Sequence, residues 1–239
     1  LPAPKSPFRC DELIIESTYG DRQHEGRRMR RKRLQQTVER CLKNKGTVLI
    51  PAFSIGRTQE IVYMLDKMET AGILPRIPVY VDSPLAVNAT TVFGSHPVCY
   101  DNELNEYMLI DKNPFGFNNL HYIREVEDSK ELNNRKEPAI IISASGMMNA
   151  GRVKHHIYNS IEDKRNTLLV VGYCSPNTMG GALRAGADEV RMFGETKKVN
   201  MNIEIMDSFS AHADRNEMLD FLSNQKKIRQ IFLVHGEID

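Results

Sequence analysis

Along the middle of the chain, short unbroken apolar runs alternate with segments whose apolar residues recur every three or four positions. Thr47-Val-Leu-Ile-Pro-Ala-Phe53 leads into a helical pattern from Gly56, in which Ile61, Leu65 and Met68 share one face. Ile77-Pro-Val-Tyr-Val-Asp82, Ala139-Ile-Ile-Ile-Ser143 and Thr167-Leu-Leu-Val-Val-Gly172 are runs of the same kind. Successive apolar positions suit strands covered on both faces, and their alternation with helices predicts an α/β fold built on a parallel sheet. Leu34, Val38, Cys41 and Leu42 mark another helix, and Val153, Ile157 and Ile161 mark one that starts near Asn149. Strand-like segments at Glu12–Glu16 and Gln230–Val234 flank the whole. Between Gly94 and Pro138 the pattern breaks down around turn formers such as Asn113-Pro-Phe-Gly-Phe117, with Asp128 or Ser129 expected to cap a short helix.

Composition adds bounds. At 239 residues the chain can bury a substantial core as one large or two modest domains. With 41% hydrophobic and 26% charged residues it reads as soluble and globular. No apolar stretch approaches the length of a bilayer, and the first residues lack the apolar core of a signal peptide, so the default expectation is a cytosolic protein with no membrane partner. Cys10, Cys41, Cys99 and Cys174 form no C-x-x-C pair and are expected as reduced, partly buried thiols. A net charge of +1 is silent about polyanions, whereas its distribution is not. Ten Lys or Arg stand against two acids between Arg22 and Lys45. A solvated helix face is the simpler reading of that run, and a phosphate-attracting surface is the other.

Candidate chemistry sits where runs end. Ser143-Ala-Ser-Gly-Met-Met148 closes a buried strand in small residues, presenting backbone N–H groups and a hydroxyl as a phosphate site would. Phe53-Ser-Ile-Gly-Arg57 and Gly172-Tyr-Cys-Ser-Pro-Asn-Thr178 repeat the arrangement, so three turns are expected around one cleft. His155 and His156, about 100° apart on a helix, are expected at the surface, and His96 and His121 receive no role. His212 follows Ser208-Phe-Ser-Ala and leads into a helix, a setting for a proton donor fixed by a carboxylate. His235 closes an apolar strand and precedes Gly236, a setting for a metal ligand. Taken singly, either histidine is more often structural.

In order, Ile15-Glu-Ser-Thr-Tyr-Gly-Asp21-Arg22 with His24, Leu49-Ile-Pro-Ala-Phe-Ser-Ile-Gly-Arg57, Ser145-Gly-Met-Met148, Gly172-Tyr173, Phe209-Ser-Ala-His212 and Val234-His-Gly-Glu237 resemble the beta-CASP branch of the metallo-beta-lactamase superfamily. The resemblance covers essentially the whole chain and is strongest toward bacterial and archaeal members. It implies a parallel-sheet beta-CASP domain over residues 21–196, inserted between metallo-beta-lactamase segments at 1–20 and 197–239. It further implies zinc-dependent hydrolysis of RNA, endonucleolytic or 5′-exonucleolytic, with two Zn2+ per site, and RNA as partner. Homodimerisation stays open. A non-catalytic RNA clamp is the rival expectation.

By residue, the resemblance places the motif A acid on Glu16, the proton-donating motif B histidine on His212, and the zinc-ligating motif C histidine on His235. It makes Ser145, Gly146, Ser210, Thr178 and Arg57 candidates for phosphate contacts. Two departures qualify it. The His-x-His-x-Asp-His element that precedes motif A in the family is not found here, so the chain is expected to be a fragment that binds zinc weakly or not at all and is inactive alone. And Pro176-Asn-Thr-Met-Gly-Gly-Ala182 carries Gly181 where relatives commonly have arginine, which is expected to remove a basic contact from the cleft.

Overall fold

The computed structural model describes residues 4–225 and 227–237. The chain runs β1 (Glu12–Glu16), α1 (Arg27–Asn44), β2 (Thr47–Pro51), α2 (Arg57–Thr70), β3 (Val79–Asp82), α3 (Pro84–Gly94), α4 (Asn102–Tyr107), β4 (Leu120–Ile123) and α5 (Val126–Leu132). It continues with β5 (Ala139–Ser143), α6 (Arg152–Ser160), β6 (Thr167–Val170), α7 (Met179–Arg184), β7 (Glu189–Met192), β8 (Glu195–Lys198), β9 (Asn202–Ile205), α8 (Arg215–Leu222) and β10 (Gln230–Val234). Six strands form one sheet in the order β4-β3-β5-β2-β6-β9, every described pairing parallel. The fold class is the expected α/β one.

Alternation along the central strands explains how one sheet supports two cores. Val48 and Ile50 of β2, with Ile140 and Ile142 of β5, enter a core that also takes Leu34, Val38 and Cys41 of α1 and Ile61, Leu65 and Met68 of α2. Leu49, Ile141 and Leu168 point the other way, onto Val153 and Ile157 of α6 and Leu183 of α7. Burying one such aliphatic side chain contributes roughly 1.5–3 kcal/mol, so these runs, more than local propensity, select the sheet. Turn chemistry punctuates it. Ser83 caps α3 through Ala86 N–H with Pro84 in the first turn. Gly46 follows the left-handed Lys45 at the end of α1, and a Cβ there would lie 1.9 Å from the Arg165 carbonyl oxygen.

Several expectations are corrected. The region from Gly94 to Pro138 is not merely irregular, because Leu120–Ile123 is the edge strand β4. α5 starts from Glu125 without a side-chain cap, and Ser129 instead donates to Asp82 at 2.5 Å. His155 is exposed and stacks on Phe193, but His156 is buried, its Nε2 at 2.7 Å from Asp82 Oδ2 and its Nδ1 at 2.7 Å from Asn133 Oδ1. A polar partner on β3 overrides the preference of histidine for the surface. The antiparallel β7–β8 hairpin was not foreseen. β9, at residues 202–205, adds to the large sheet beside β6.

The basic run is a helix with its apolar stripe inward. Arg30 is buried and bonds Glu60 and the Ser208 carbonyl, Arg33 pairs with Glu25, and Arg40 pairs with Glu204, while Arg31 and Lys32 are exposed. The side chains of Arg27 and Arg28 lie outside those described. Cys41 and Cys174 are buried, Cys10 is half-buried and Cys99 exposed, all free thiols.

Candidate active site

The first and last strands build the site. β1 and β10 pair in parallel with Glu16 opposite Val234, and the pairing continues as Ser17 N–H donates to the Val234 carbonyl at 2.8 Å. His235 therefore emerges beside Thr18, whose hydroxyl reaches the His235 carbonyl at 3.3 Å. His235 adopts φ 65°, in the left-handed region that few side-chain-bearing residues occupy. Gly236 follows because a Cβ there would fall 2.4 Å from Ser17 Oγ.

The other histidine arrives from the large sheet. Met206 N–H continues the β6–β9 ladder onto the Val170 carbonyl, after which Asp207–Phe209 make one 3-10 turn. Phe209 is fully buried beneath the guanidinium groups of Arg30 and Arg57, at 4.5 and 5.9 Å from its ring centre. Beyond Ser210, Asp214 caps α8 with Glu217 completing a reciprocal capping box. His212 is held between these two anchors, with its own N–H on Ser210 Oγ at 3.2 Å.

Glu16 and His212 meet at 2.5 Å, Oε2 to Nδ1. The second carboxylate oxygen accepts the Ala213 N–H at 3.0 Å, and the Thr18 hydroxyl donates to Oε2 at 3.0 Å. Burial alone would raise the Glu16 pKa, but the bonds from Ala213, His212 and Thr18 outweigh it and hold the carboxyl below its ordinary range. An ionised carboxylate only accepts, so Nδ1 carries a proton and Nε2 faces away from Glu16. The His235 ring lies 5.7 Å from the His212 ring, centre to centre.

Glu16, His212 and His235 offer donor atoms within 4.8 Å of one another, the spacing of a metal site. Both Glu16 oxygens are already committed, as is Nδ1 of His212. That leaves the imidazole of His235 as the group that fits a zinc ion, with Nε2 of His212 turned away from Glu16 beside it.

Around this centre lies a buried support of residues to which the sequence alone assigns no role. Tyr19 is 1% exposed, bridges in parallel to Asp214 and donates to Asp207 at 3.3 Å. Burial, then the Asp207 charge, push its phenol up to about 12. Arg184 grips both oxygens of Asp207 at 2.6 and 2.5 Å. The His24 N–H bonds Asp214 at 3.0 Å, and its ring nitrogen lies 2.9 Å from the His212 carbonyl.

The remaining candidates sit on turns at the carboxyl ends of the adjacent strands β5, β2 and β6. Ser145 lines a cavity of about 380 Å3 together with Phe53, Ser54, Ile55, Leu85 and Ala144, and the Phe53 ring lies against Gly146. Thr178 caps α7, accepting from Gly181 N–H at 3.0 Å and donating to the Ser175 carbonyl at 2.6 Å. Arg57 is paired with Glu60 against Phe209, and Ser210 bonds the His212 N–H. The structure thus joins Glu16, His212, His235 and Ser210 directly, and carries Ser145, Gly146, Thr178 and Arg57 on turns that follow the adjacent strands β5, β6 and β2.

A family model described as the Beta-Casp domain matches residues 58–183, more than half of the chain. The chain belongs to the beta-CASP family of the metallo-beta-lactamase superfamily. A second model, described as a Zn-dependent metallo-hydrolase RNA specificity domain, matches residues 196–239, the stretch carrying His212 and His235. A ribonuclease of Thermus thermophilus is 35% identical over 99% of this chain and 54% of its own length. An RNase J-like protein of Methanocaldococcus jannaschii is 32% identical over 99% of this chain and 54% of its own. Transcription termination factor FttA of Methanosarcina mazei is 31% identical over 99% of this chain and 38% of its own. The chain therefore spans about half, or less, of these beta-CASP relatives.

Proposed function

We propose that this beta-CASP chain supplies the proton-donating side of a zinc-dependent site that hydrolyses RNA phosphodiesters. The observation that carries the reading is the Glu16–His212 contact, a carboxylate locked onto one imidazole nitrogen with the opposite nitrogen left to face a substrate. The RNA specificity description of the matched model and the ribonuclease among the relatives support RNA as the polyanion.

In the proposed reaction the scissile phosphate lies against His212 Nε2. Glu16 balances the positive charge of the doubly protonated ring and fixes its orientation. As the P–O bond breaks, Nε2 gives its proton to the leaving oxygen, and Ser210 and Ser145 would donate to phosphate oxygens. His235 would hold one zinc, which when bound supplies Lewis acidity and an activated water. One imidazole is fewer than the three protein ligands of a catalytic zinc, so this chain alone is expected to bind zinc weakly and to be inactive. The two-stranded β1–β10 sheet supports further chain packing here in the whole protein, since it exposes Ile14, Ile231, Phe232, Leu233 and Val234.

The test uses the whole protein, with cleavage and binding of a labelled RNA measured together. His212→Ala should abolish cleavage with affinity retained, and Glu16→Gln should slow cleavage by roughly 10- to 100-fold, the value of one charge-assisted hydrogen bond. Near wild-type cleavage by His212→Ala would refute the acid role. Tight two-zinc binding to the present chain, seen by calorimetry, would refute the expected weak affinity.

A further inference from the structure

The run Pro176–Ala182, where Gly181 stands in place of an expected arginine, has a structural explanation that reaches the site. Gly181 is buried in the first turn of α7, and a Cβ there would lie 2.2 Å from the Ser175 carbonyl oxygen. No side chain fits. Three residues on, Arg184 is on the same stretch of helix, and its guanidinium makes the bidentate contact with Asp207 and a further bond to the Gly172 carbonyl at 3.2 Å. Both members of the pair are largely buried, with 16% and 18% of their side chains exposed.

Asp207 opens the turn that carries His212. Its own carbonyl accepts Ser210 N–H at 2.7 Å, and Ser210 Oγ in turn accepts His212 N–H. The opposite end of α7 is fastened to the Ser145 turn, with Gly180 N–H on the Met147 carbonyl at 3.2 Å and Met179 N–H on Asn149 Oδ1 at 2.8 Å. One short helix therefore connects the turn carrying Ser145 to the turn carrying His212.

We propose that Arg184 is a positioning residue for His212, its fork onto Asp207 setting the turn from which the imidazole reaches Glu16, and that α7 thereby fixes the spacing between His212 and the Ser145 turn. Gly181 leaves no room for an arginine, and the guanidinium on this side of the site comes from Arg184. A fork is needed because a bidentate partner fixes the orientation of a carboxylate, whereas a single ammonium leaves it free to rotate.

Two readouts test this, and only the second rests on the proposed function. In the present chain, proton NMR should show the His212 Nδ1–H in its short bond to Glu16 as a downfield resonance, assigned by its loss in His212→Ala. Arg184→Ala and Asp207→Asn should broaden or abolish that resonance while the amide spectrum stays folded, and Arg184→Lys should keep it weakened. In the whole protein, Arg184→Ala should lower kcat on the order of 100-fold, the cost of a displacement near 1 Å, with KM within about twofold. An unchanged resonance in a folded Arg184→Ala chain would overturn the proposal even if RNA cleavage is confirmed. Should Arg184→Ala unfold, loss of the resonance in folded Asp207→Asn supports the proposal and its persistence there overturns it. If the resonance is lost while the whole protein cleaves no RNA at all, the positioning role stands and the proposed function falls.

Discussion

Asp82 ends β3 with no exposed surface and gathers three donors: Arg152 Nη1 and His156 Nε2, each at 2.7 Å, and the Ser129 hydroxyl at 2.5 Å. Replacing it by alanine removes one acceptor group and strands all three. Arg152 is the costly one, since only 19% of its side chain meets solvent. Breaking a buried pair by removing one partner costs about 3–5 kcal/mol, a large share of the roughly 5–15 kcal/mol that holds a domain folded. For a chain of this size that amounts to a fall in Tm on the order of 10 °C. Urea unfolding followed by circular dichroism should show the midpoint falling with an unchanged slope. A double-mutant cycle with Arg152→Ala should return a coupling of at least about 1 kcal/mol.

The sign with pH is fixed as well. Burial would raise the Asp82 pKa, but the bonds from His156, Ser129 and Arg152 bring it below the ordinary carboxylate range. A depressed carboxylate stabilises the fold above its unfolded pKa and loses that contribution as pH falls through the folded value. The gap between wild type and Asp82→Ala should therefore be full at neutral pH and shrink in acid. A loss below about 1 kcal/mol at pH 7, or a gap that widens on acidification, would refute this account of the network.

Asp66 should behave in the opposite way. It is buried on α2, with Tyr107 donating to one oxygen at 2.6 Å, and burial lifts its pKa to about 6. The fold then binds a proton that the unfolded chain releases, so stability falls as pH rises from about 4 to 6, by about 3 kcal/mol. Asp66→Asn should remove that slope in pH-dependent unfolding, and a parallel profile would contradict it. Gly236→Ala forces a Cβ onto Ser17 Oγ and should weaken zinc binding by the whole protein, measured by competition with a chelator, with little loss of melting temperature. Burial raises Cys41 and Cys174 to about 11, so iodoacetamide at pH 7.5 should label exposed Cys99 first, as peptide mass spectrometry would read.

Much of the sheet was legible because its evidence is local. Leu49 between Val48 and Ile50, and Ile141 between Ile140 and Ile142, have to be apolar at every position since each strand is covered twice. Edge strands escape that requirement. Leu120-His-Tyr-Ile and Asn202-Ile-Glu-Ile mix polar with apolar residues because one side of each meets solvent or a helix, as where Glu204 meets Thr37 and Arg40 of α1. His156 misled for a related reason: its environment is set by Asp82, seventy-four residues away in sequence.

The site divides along the same line. Glu16, His212 and His235 were legible as residue types in an ordered set of motifs, and the parallel pairing of β1 with β10 explains why positions so far apart meet. The motifs contain only part of the support, since Tyr19, His24 and Arg57 lie within them and Arg30 and Arg184 do not. Arg184 and Tyr19 hold Asp207, Arg30 and Arg57 cover Phe209, and His24 spans Asp214 and the His212 carbonyl. Motif residues are constrained by the atoms they present to a ligand, and that constraint fixes their type. Supporting residues are constrained only by where a charge or a ring must arrive, a condition that different positions can meet. Gly181 and Arg184 illustrate it: the backbone around Ser175 forbids a side chain at one position of α7, and the next turn of the helix delivers the guanidinium to Asp207.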